Sequence, residues 1–122
     1  VAVITAGNFP VAVPSWYIVP ALLTGNTVVW KPAEYSPAVS NAFHELFVRG
    51  GGLPDGVFNL VHADGEQTFA GLQSALEAGH IDKVGFTGSS AVGREIGALT
   101  GRLWSLLRGE SMKAIGLTAE AP

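Results

Sequence analysis

The chain has 122 residues, of which 48% are hydrophobic and only 14% charged, and its net charge at pH 7 is −3. That length is enough for one domain with a buried core, and the acidic balance argues against a nucleic-acid-binding protein, which needs a basic face. No apolar run reaches the ~18 residues of a membrane span, and the chain contains no Cys, so disulfides and thiolate chemistry are excluded within these residues. We assign no chemistry to the three histidines and expect no metal site.

Strands and helices are predicted to alternate through the first half of the chain. The apolar run over residues 1–5 is typical of a strand buried on both faces of a parallel sheet. A helix should open at residues 14–16 and run to about Thr24, with a kink or a two-part helix at Pro20. Residues 27–30, rich in β-branched side chains, predict the second strand.

A second helix is predicted to begin at Ser36 as N-cap and Pro37 as first helical residue. The 3.6-residue period predicts that its buried face contains Val39, Ala42, Phe43, Leu46 and Phe47. Residues 57–61 then predict a third strand, and residues 67 to about 78 a third helix.

Residues 84–93 predict a fourth strand, a turn of small residues and the start of a fourth helix. Ser89 or Ser90 can cap this helix, and its buried face is predicted to contain Val92, Ile96 and Leu99. Such a turn directs backbone N–H groups and the positive helix end at one point, which suits a phosphate. An ordinary strand–helix turn without a ligand is the alternative.

The pattern is less regular after residue 101. Residues 103–107 predict a short helix, and residues 113–119 a fifth strand. Trp16, Trp30 and Trp104 are predicted to pack rather than to contact a ligand. Because the chain begins without Met inside an apolar run and stops just after another, we expect it to be a piece of a longer protein.

The predicted fold class is α/β, a Rossmann-like parallel sheet with helices on both faces. Ligands of such sheets lie beyond the carboxyl ends of the strands. Polar side chains follow the predicted strands at those ends: Asn8, Lys31 with Glu34, Asp64, and Thr87 with Ser89.

Three blocks, in order, resemble the signature sequences of the NAD(P)-dependent aldehyde dehydrogenases. They are Asn8-Phe9-Pro10, Lys31-Pro32-Ala33-Glu34, and Phe86-Thr87-Gly88-Ser89 followed by Val92-Gly93. Residues 20–29 and 52–57 are similar to that family as well, and the likeness runs from residue 1 to about residue 100. It implies that residues 1–122 are a partial NAD-binding domain, with no second domain present.

The resemblance also implies roles for individual residues. The Asn8 amide would donate to the oxyanion that forms when a thiolate attacks the aldehyde. Lys31 and Glu34 would hold the adenosine ribose hydroxyls, and a carboxylate there favours NAD over NADP because it repels a 2′-phosphate. The remaining cofactor-binding candidates are Ser89 at the pyrophosphate, Phe86, Gly88 and Val92 around the nucleotide cleft, and Gly65 on the adenine side.

Three features depart from the family pattern. Gly7 stands where the family usually has an aromatic residue. Glu120, the candidate general base, lacks the usual Leu-Gly-Gly after it and lies farther from Ser89 than in the family. The nucleophilic cysteine of the family is absent from these residues, so we expect this chain alone to be inactive.

The function implied is the coenzyme-binding part of a cytoplasmic aldehyde dehydrogenase. It would oxidise an aldehyde to a carboxylate, or to an acyl-CoA with coenzyme A, through a thiohemiacetal on a cysteine outside this chain. The full-length form is expected to be a homo-oligomer without nucleic-acid or membrane partners. The alternatives are a nucleotide-binding relative without catalysis, suggested by Gly7 and the surroundings of Glu120, and a structural oligomerisation piece, suggested by the low charge content.

Overall fold

The computed structural model describes residues 1–108 and 116–120, with side chains described as far as residue 103. The strands are β1 (Ala2–Ile4), β2 (Val28–Lys31), β3 (Phe58–Leu60), β4 (Val84–Ser89) and β5 (Gly116–Glu120). The helices are α1 (Ala12–Leu23), α2 (Pro37–Glu45), α3 (Gly65–Glu77) and α4 (Ser90–Arg108), and a π-helical turn, Leu46–Gly50, follows α2.

The strands form one sheet in the order β3-β2-β1-β4-β5, and every neighbouring pair is parallel. The predicted parallel α/β fold is therefore confirmed. The chain moves outward from β1 to β3 and then returns to the other side of β1 to form β4. Strand order thus reverses between β1 and β4, and ligands of open α/β sheets bind beyond the carboxyl ends of strands at such a point.

Successive side chains of each strand point to opposite faces of the sheet, which gives the domain two cores. Ala2, Val84 and Phe86 pack against α3 and α4 on one face. Val3, Val28 and Trp30 pack against α1 and α2 on the other. Trp30 is fully buried there, as predicted, and its Nε1 donates to Thr5 Oγ1 at 3.0 Å.

Helix α1 differs from its prediction at both its start and its middle. It begins at Ala12 and continues through Pro20 as a single helix, so the two-part helix is wrong, while the alternative of a kink at Pro20 stays a prediction. Proline removes one helical N–H, but its carbonyl still accepts from the Thr24 N–H at 3.1 Å and from Thr24 Oγ1 at 2.8 Å. The prediction that Trp16 packs is also wrong, since it is 68% exposed, and the Trp104 side chain lies outside the described residues.

The buried face of α2 is narrower than its sequence period predicts. Phe43 is buried and Phe47 half-buried, but Val39, Ala42 and Leu46 are exposed, so the placement of these three in the core is wrong. The chain leaves the α-helical period at Leu46, where the π-helical turn begins and the Gly51 N–H bonds the Leu46 carbonyl at 3.0 Å. Glu45 and Leu46 keep α-helical dihedral angles, so the wider turn shifts only the residues after Leu46 and does not account for the exposure of Leu46 itself.

Helix α4 runs unbroken from Ser90 to Arg108, so the separate short helix predicted near residue 103 is wrong. Ile96 and Leu99 are buried as predicted, whereas Val92 is 43% exposed. Strand β5 confirms the predicted fifth strand from Gly116 onward, and residues 113–115 lie outside the described part. Among the helices described, none has the combined length and hydropathy of a membrane span.

Candidate functional site

A cavity of about 880 Å³ lies at the carboxyl edge of the sheet, where strand order reverses. Its floor is formed by the ends of β1, β2 and β4, and its walls by the facing sides of α3 and α4. This volume is within the range of about 300–1,000 Å³ that small-molecule and cofactor sites occupy. The cavity is therefore the candidate binding site of the domain.

The candidate cofactor-binding residues all line this cavity, although they are far apart in the sequence. They come from β2 and the turn after it, the start of α3, the end of β4 and the first turn of α4: Lys31, Glu34, Gly65, Phe86, Gly88, Ser89 and Val92. The exposure of Val92, which contradicts its prediction as a core residue, follows from this position on the cavity wall.

Lys31 and Glu34 form an ion pair on the β2 side of the cavity, with Nζ and Oε1 3.5 Å apart. A tight turn follows the strand, in which the Ser36 N–H donates to the Ala33 carbonyl at 3.3 Å, and this turn brings Glu34 back to Lys31. The Lys31 side chain is 15% exposed and that of Glu34 57%. The pair offers one ammonium donor and one carboxylate acceptor side by side, which suits neighbouring hydroxyl groups.

The turn between β4 and α4 depends on close packing around Phe86. A Cβ atom at Gly88 would lie 2.7 Å from Phe86 Cζ, so the ring can occupy this place only beside a glycine. Ser89 immediately precedes α4, and its Oγ lies 3.4 Å from the Val92 N–H as a long capping contact. The first N–H groups of a helix have no partners within the helix and favour anionic groups.

Tyr17 fixes α1 against this turn, and sequence reasoning missed it. Its hydroxyl lies 2.9 Å from Thr87 Oγ1 and donates to the Phe86 carbonyl at 3.2 Å. A Cβ at Gly85 would lie 2.7 Å from Tyr17 Cδ1, so the glycine gives the ring its space. The partners are about 70 residues apart in the chain, and no local pattern signals such a contact.

The start of α3 lines the cavity as well and leaves free space beside Gly65. The Asp64 side chain accepts from the Gln67 N–H at 2.8 Å, and the Gln67 side chain accepts from the Asp64 N–H at 3.2 Å, which completes a capping box. This box places the helix start at Gly65 rather than at Gln67 as predicted. A Cβ at Gly65 would meet no atom within 4 Å, so the cavity has room for a ligand at this point.

The two catalytic candidates lie at the same edge of the sheet, and Asn8 is not among the described residues that line the cavity. Asn8 is exposed on the loop after β1, and its Oδ1 accepts from the Phe9 N–H at 3.1 Å. Thr5 and Ala6, just before it, line the cavity. Glu120 ends β5 with its Cα opposite that of Ser89, and its side chain lies outside the described residues.

Two histidines have structural contacts away from the cavity. His44 Nε2 lies 2.8 Å from the Phe58 carbonyl oxygen, and His62 Nε2 lies 3.0 Å from Asn41 Oδ1. Across residues 1–103 no group of His, Asp or Glu side chains is arranged to hold a metal ion.

Known proteins resemble this chain in both sequence and fold. The profile of the Aldehyde dehydrogenase family matches residues 1–112. A phenylacetaldehyde dehydrogenase of Pseudomonas fluorescens is 42% identical over 117 residues, which are 96% of this chain and 21% of that protein.

Solved structures agree with the sequence comparison. A methylmalonate-semialdehyde dehydrogenase from Oceanimonas doudoroffii superimposes with a TM-score of 0.75 at 36% identity, over 84% of this chain and 20% of its own. An NAD-dependent benzaldehyde dehydrogenase from Corynebacterium glutamicum gives a TM-score of 0.70 at 32% identity, over 80% and 21%. The chain thus spans about a fifth of the length of these relatives. On these matches, the chain belongs to the aldehyde dehydrogenase family.

Proposed function

We propose that these residues form the coenzyme-binding part of an NAD-dependent aldehyde dehydrogenase. One observation carries the proposal: the Lys31–Glu34 pair and the Ser89 turn line the same cavity at the reversal of strand order. Family membership supports the class of reaction. The structural similarity to a protein described as NAD-dependent supports the choice of coenzyme.

The residues of the cavity fit a dinucleotide. Glu34 would accept from an adenosine ribose hydroxyl while Lys31 donates to its neighbour, and the carboxylate would oppose the 2′-phosphate of NADP. Ser89 and the first turn of α4 would hold the pyrophosphate. The open space at Gly65 leaves room for the adenine side. When bound, NAD supplies the acceptor for the hydride that leaves the aldehyde carbon.

The chemistry on the aldehyde requires a group outside this sequence, which contains no Cys. A cysteine thiolate elsewhere in the complete protein would attack the aldehyde and form a thiohemiacetal. The Asn8 side-chain NH₂ would donate to the oxygen that gains negative charge. After oxidation, Glu120 would act as general base toward the water or the coenzyme A thiol that releases the acyl group.

A second candidate is a relative that binds the nucleotide without catalysis. It is favoured by the position of Asn8, which is exposed on its loop and does not line the cavity. The two candidates make the same prediction for coenzyme binding and opposite predictions for turnover.

The test uses the complete protein, NAD or NADP, and a panel of aromatic and semialdehyde substrates. We expect binding of NAD in preference to NADP and formation of NADH that depends on the aldehyde. NAD binding without turnover on any aldehyde would favour the non-catalytic relative. Failure to bind either coenzyme would refute the proposed function.

A further inference from the structure

Position 7 lacks a side chain, and the ring of Tyr35 occupies the space that a side chain there would need. A Cβ at Gly7 would lie 2.5 Å from Tyr35 Cε2 and 2.7 Å from Tyr35 Cζ. Such distances are shorter than real Cβ contacts, so the ring can occupy this place only because residue 7 is glycine.

Tyr35 is presented by the same turn as Glu34. The bond from the Ser36 N–H to the Ala33 carbonyl closes this turn with Glu34 and Tyr35 at its two corner positions. Both side chains line the cavity. The carboxylate of Glu34 pairs with Lys31 on β2, whereas the ring of Tyr35 lies against Gly7 on the loop after β1.

Although its ring contacts Gly7, Tyr35 is 77% exposed. Its burial in the fold is therefore too small to explain its position through core packing. A tyrosine offers a large flat surface, and covering it restricts rotation about only a few side-chain bonds. The ring is therefore an effective contact for a sugar or a base.

We propose that Tyr35 is a binding residue for the nicotinamide nucleoside half of the coenzyme, which its ring contacts directly. This inference rests on the proposed function. In that assignment Glu34 holds the adenosine ribose, and Asn8 adjoins the reacting aldehyde. Tyr35 follows Glu34 in the chain and packs on Gly7, the neighbour of Asn8, so its ring extends from the Glu34 turn toward the loop that holds Asn8.

The test compares NAD with AMP, which contains only the adenosine half of the coenzyme. Calorimetry on the complete protein gives both dissociation constants for the wild type, Tyr35→Ala and Tyr35→Phe. We expect Tyr35→Ala to raise the Kd for NAD about five- to tenfold, at the low end of the loss for removing a stacking ring, and the Kd for AMP to change less than about twofold. Tyr35→Phe keeps the ring and should bind both ligands within about twofold of the wild type.

Leu46→Ala is the matched control, because Leu46 is exposed but does not line the cavity. It should leave both constants unchanged. An unchanged Kd for NAD in Tyr35→Ala, an equal loss of AMP binding, or a loss in Tyr35→Phe as large as in Tyr35→Ala would each overturn the inference. A wild type that binds neither NAD nor NADP would instead refute the proposed function, and the inference with it.

Discussion

Glu34→Gln should reverse much of the discrimination between NAD and NADP. Glutamine keeps the size of the side chain and one acceptor oxygen but removes the charge. A hydrogen bond to a charged group contributes about 1.5–3 kcal/mol and a neutral one about 0.5–1.5, so the change should weaken NAD binding by about 1 kcal/mol.

The same change should strengthen NADP binding. Two unit charges about 4 Å apart repel by about 1 kcal/mol in water and about 4 kcal/mol near a protein surface. Because the Glu34 side chain is 57% exposed, the lower part of that range applies, about 1–2 kcal/mol. The substitution also releases Lys31 from its ion pair to meet the 2′-phosphate. The two effects together shift the ratio of the dissociation constants by about 2–3 kcal/mol, or roughly 30- to 150-fold.

The assay is a calorimetric titration of the complete protein with each coenzyme, which gives the two dissociation constants. Glu45→Gln is a closely matched control, since Glu45 forms an ion pair with Arg49 at the same 3.5 Å and with a similar side-chain exposure of 55%, away from the cavity. It should leave both constants unchanged. If the ratio of the dissociation constants for NAD and NADP is the same in Glu34→Gln as in Glu45→Gln, Glu34 does not contact the ribose.

Three further substitutions test other parts of the site. Asn8→Ala should lower kcat by a factor of about 10²–10³ with little change in NAD affinity, and Asn8→Asp should lower kcat at least as much. A wild-type kcat in Asn8→Ala would remove Asn8 from the mechanism. Gly65→Leu should raise the Kd for NAD at least about tenfold without lowering Tm, because its side chain enters open cavity space, and wild-type affinity would place the coenzyme elsewhere. Trp30→Phe should lower the free energy of unfolding, measured by chemical denaturation, by about 2–4 kcal/mol, because it leaves the buried Thr5 hydroxyl without its donor and an empty volume beside it. The double variant Thr5→Val/Trp30→Phe removes that hydroxyl as well and should recover part of the lost stability.

The sequence predicts the sheet well because each strand is indicated by a pattern within a short segment of the chain. Apolar runs of β-branched residues at intervals typical of βαβ units indicate parallel strands, and the topology then collects their carboxyl ends at one edge. Lys31 and Ser89 are the last residues of β2 and β4, and Glu34 lies in the turn after β2, so their meeting at one cavity could be anticipated.

The errors arise where distant contacts decide the outcome. The 3.6-residue period of α2 indicates which side chains share a face but not how much of that face is covered, and Val39 and Leu46 are exposed. The period of α4 predicts Val92 in the core, whereas the family resemblance, which implies a place beside the nucleotide cleft, is compatible with its position on the cavity wall. Tyr35 was missed for the same reason: its significance depends on the missing side chain of Gly7, from which helix α1 and strand β2 separate it in the chain.

The central claim is that NAD binds at the carboxyl edge between β1 and β4. Hydrogen–deuterium exchange of the complete protein, with and without saturating NAD, tests this claim segment by segment. The account predicts slower exchange on binding at residues 31–36 and 87–93, and no change in the π-helical turn at Leu46–Gly50, which lies away from the cavity. Saturation with NAD that leaves residues 31–36 and 87–93 unprotected would contradict the account.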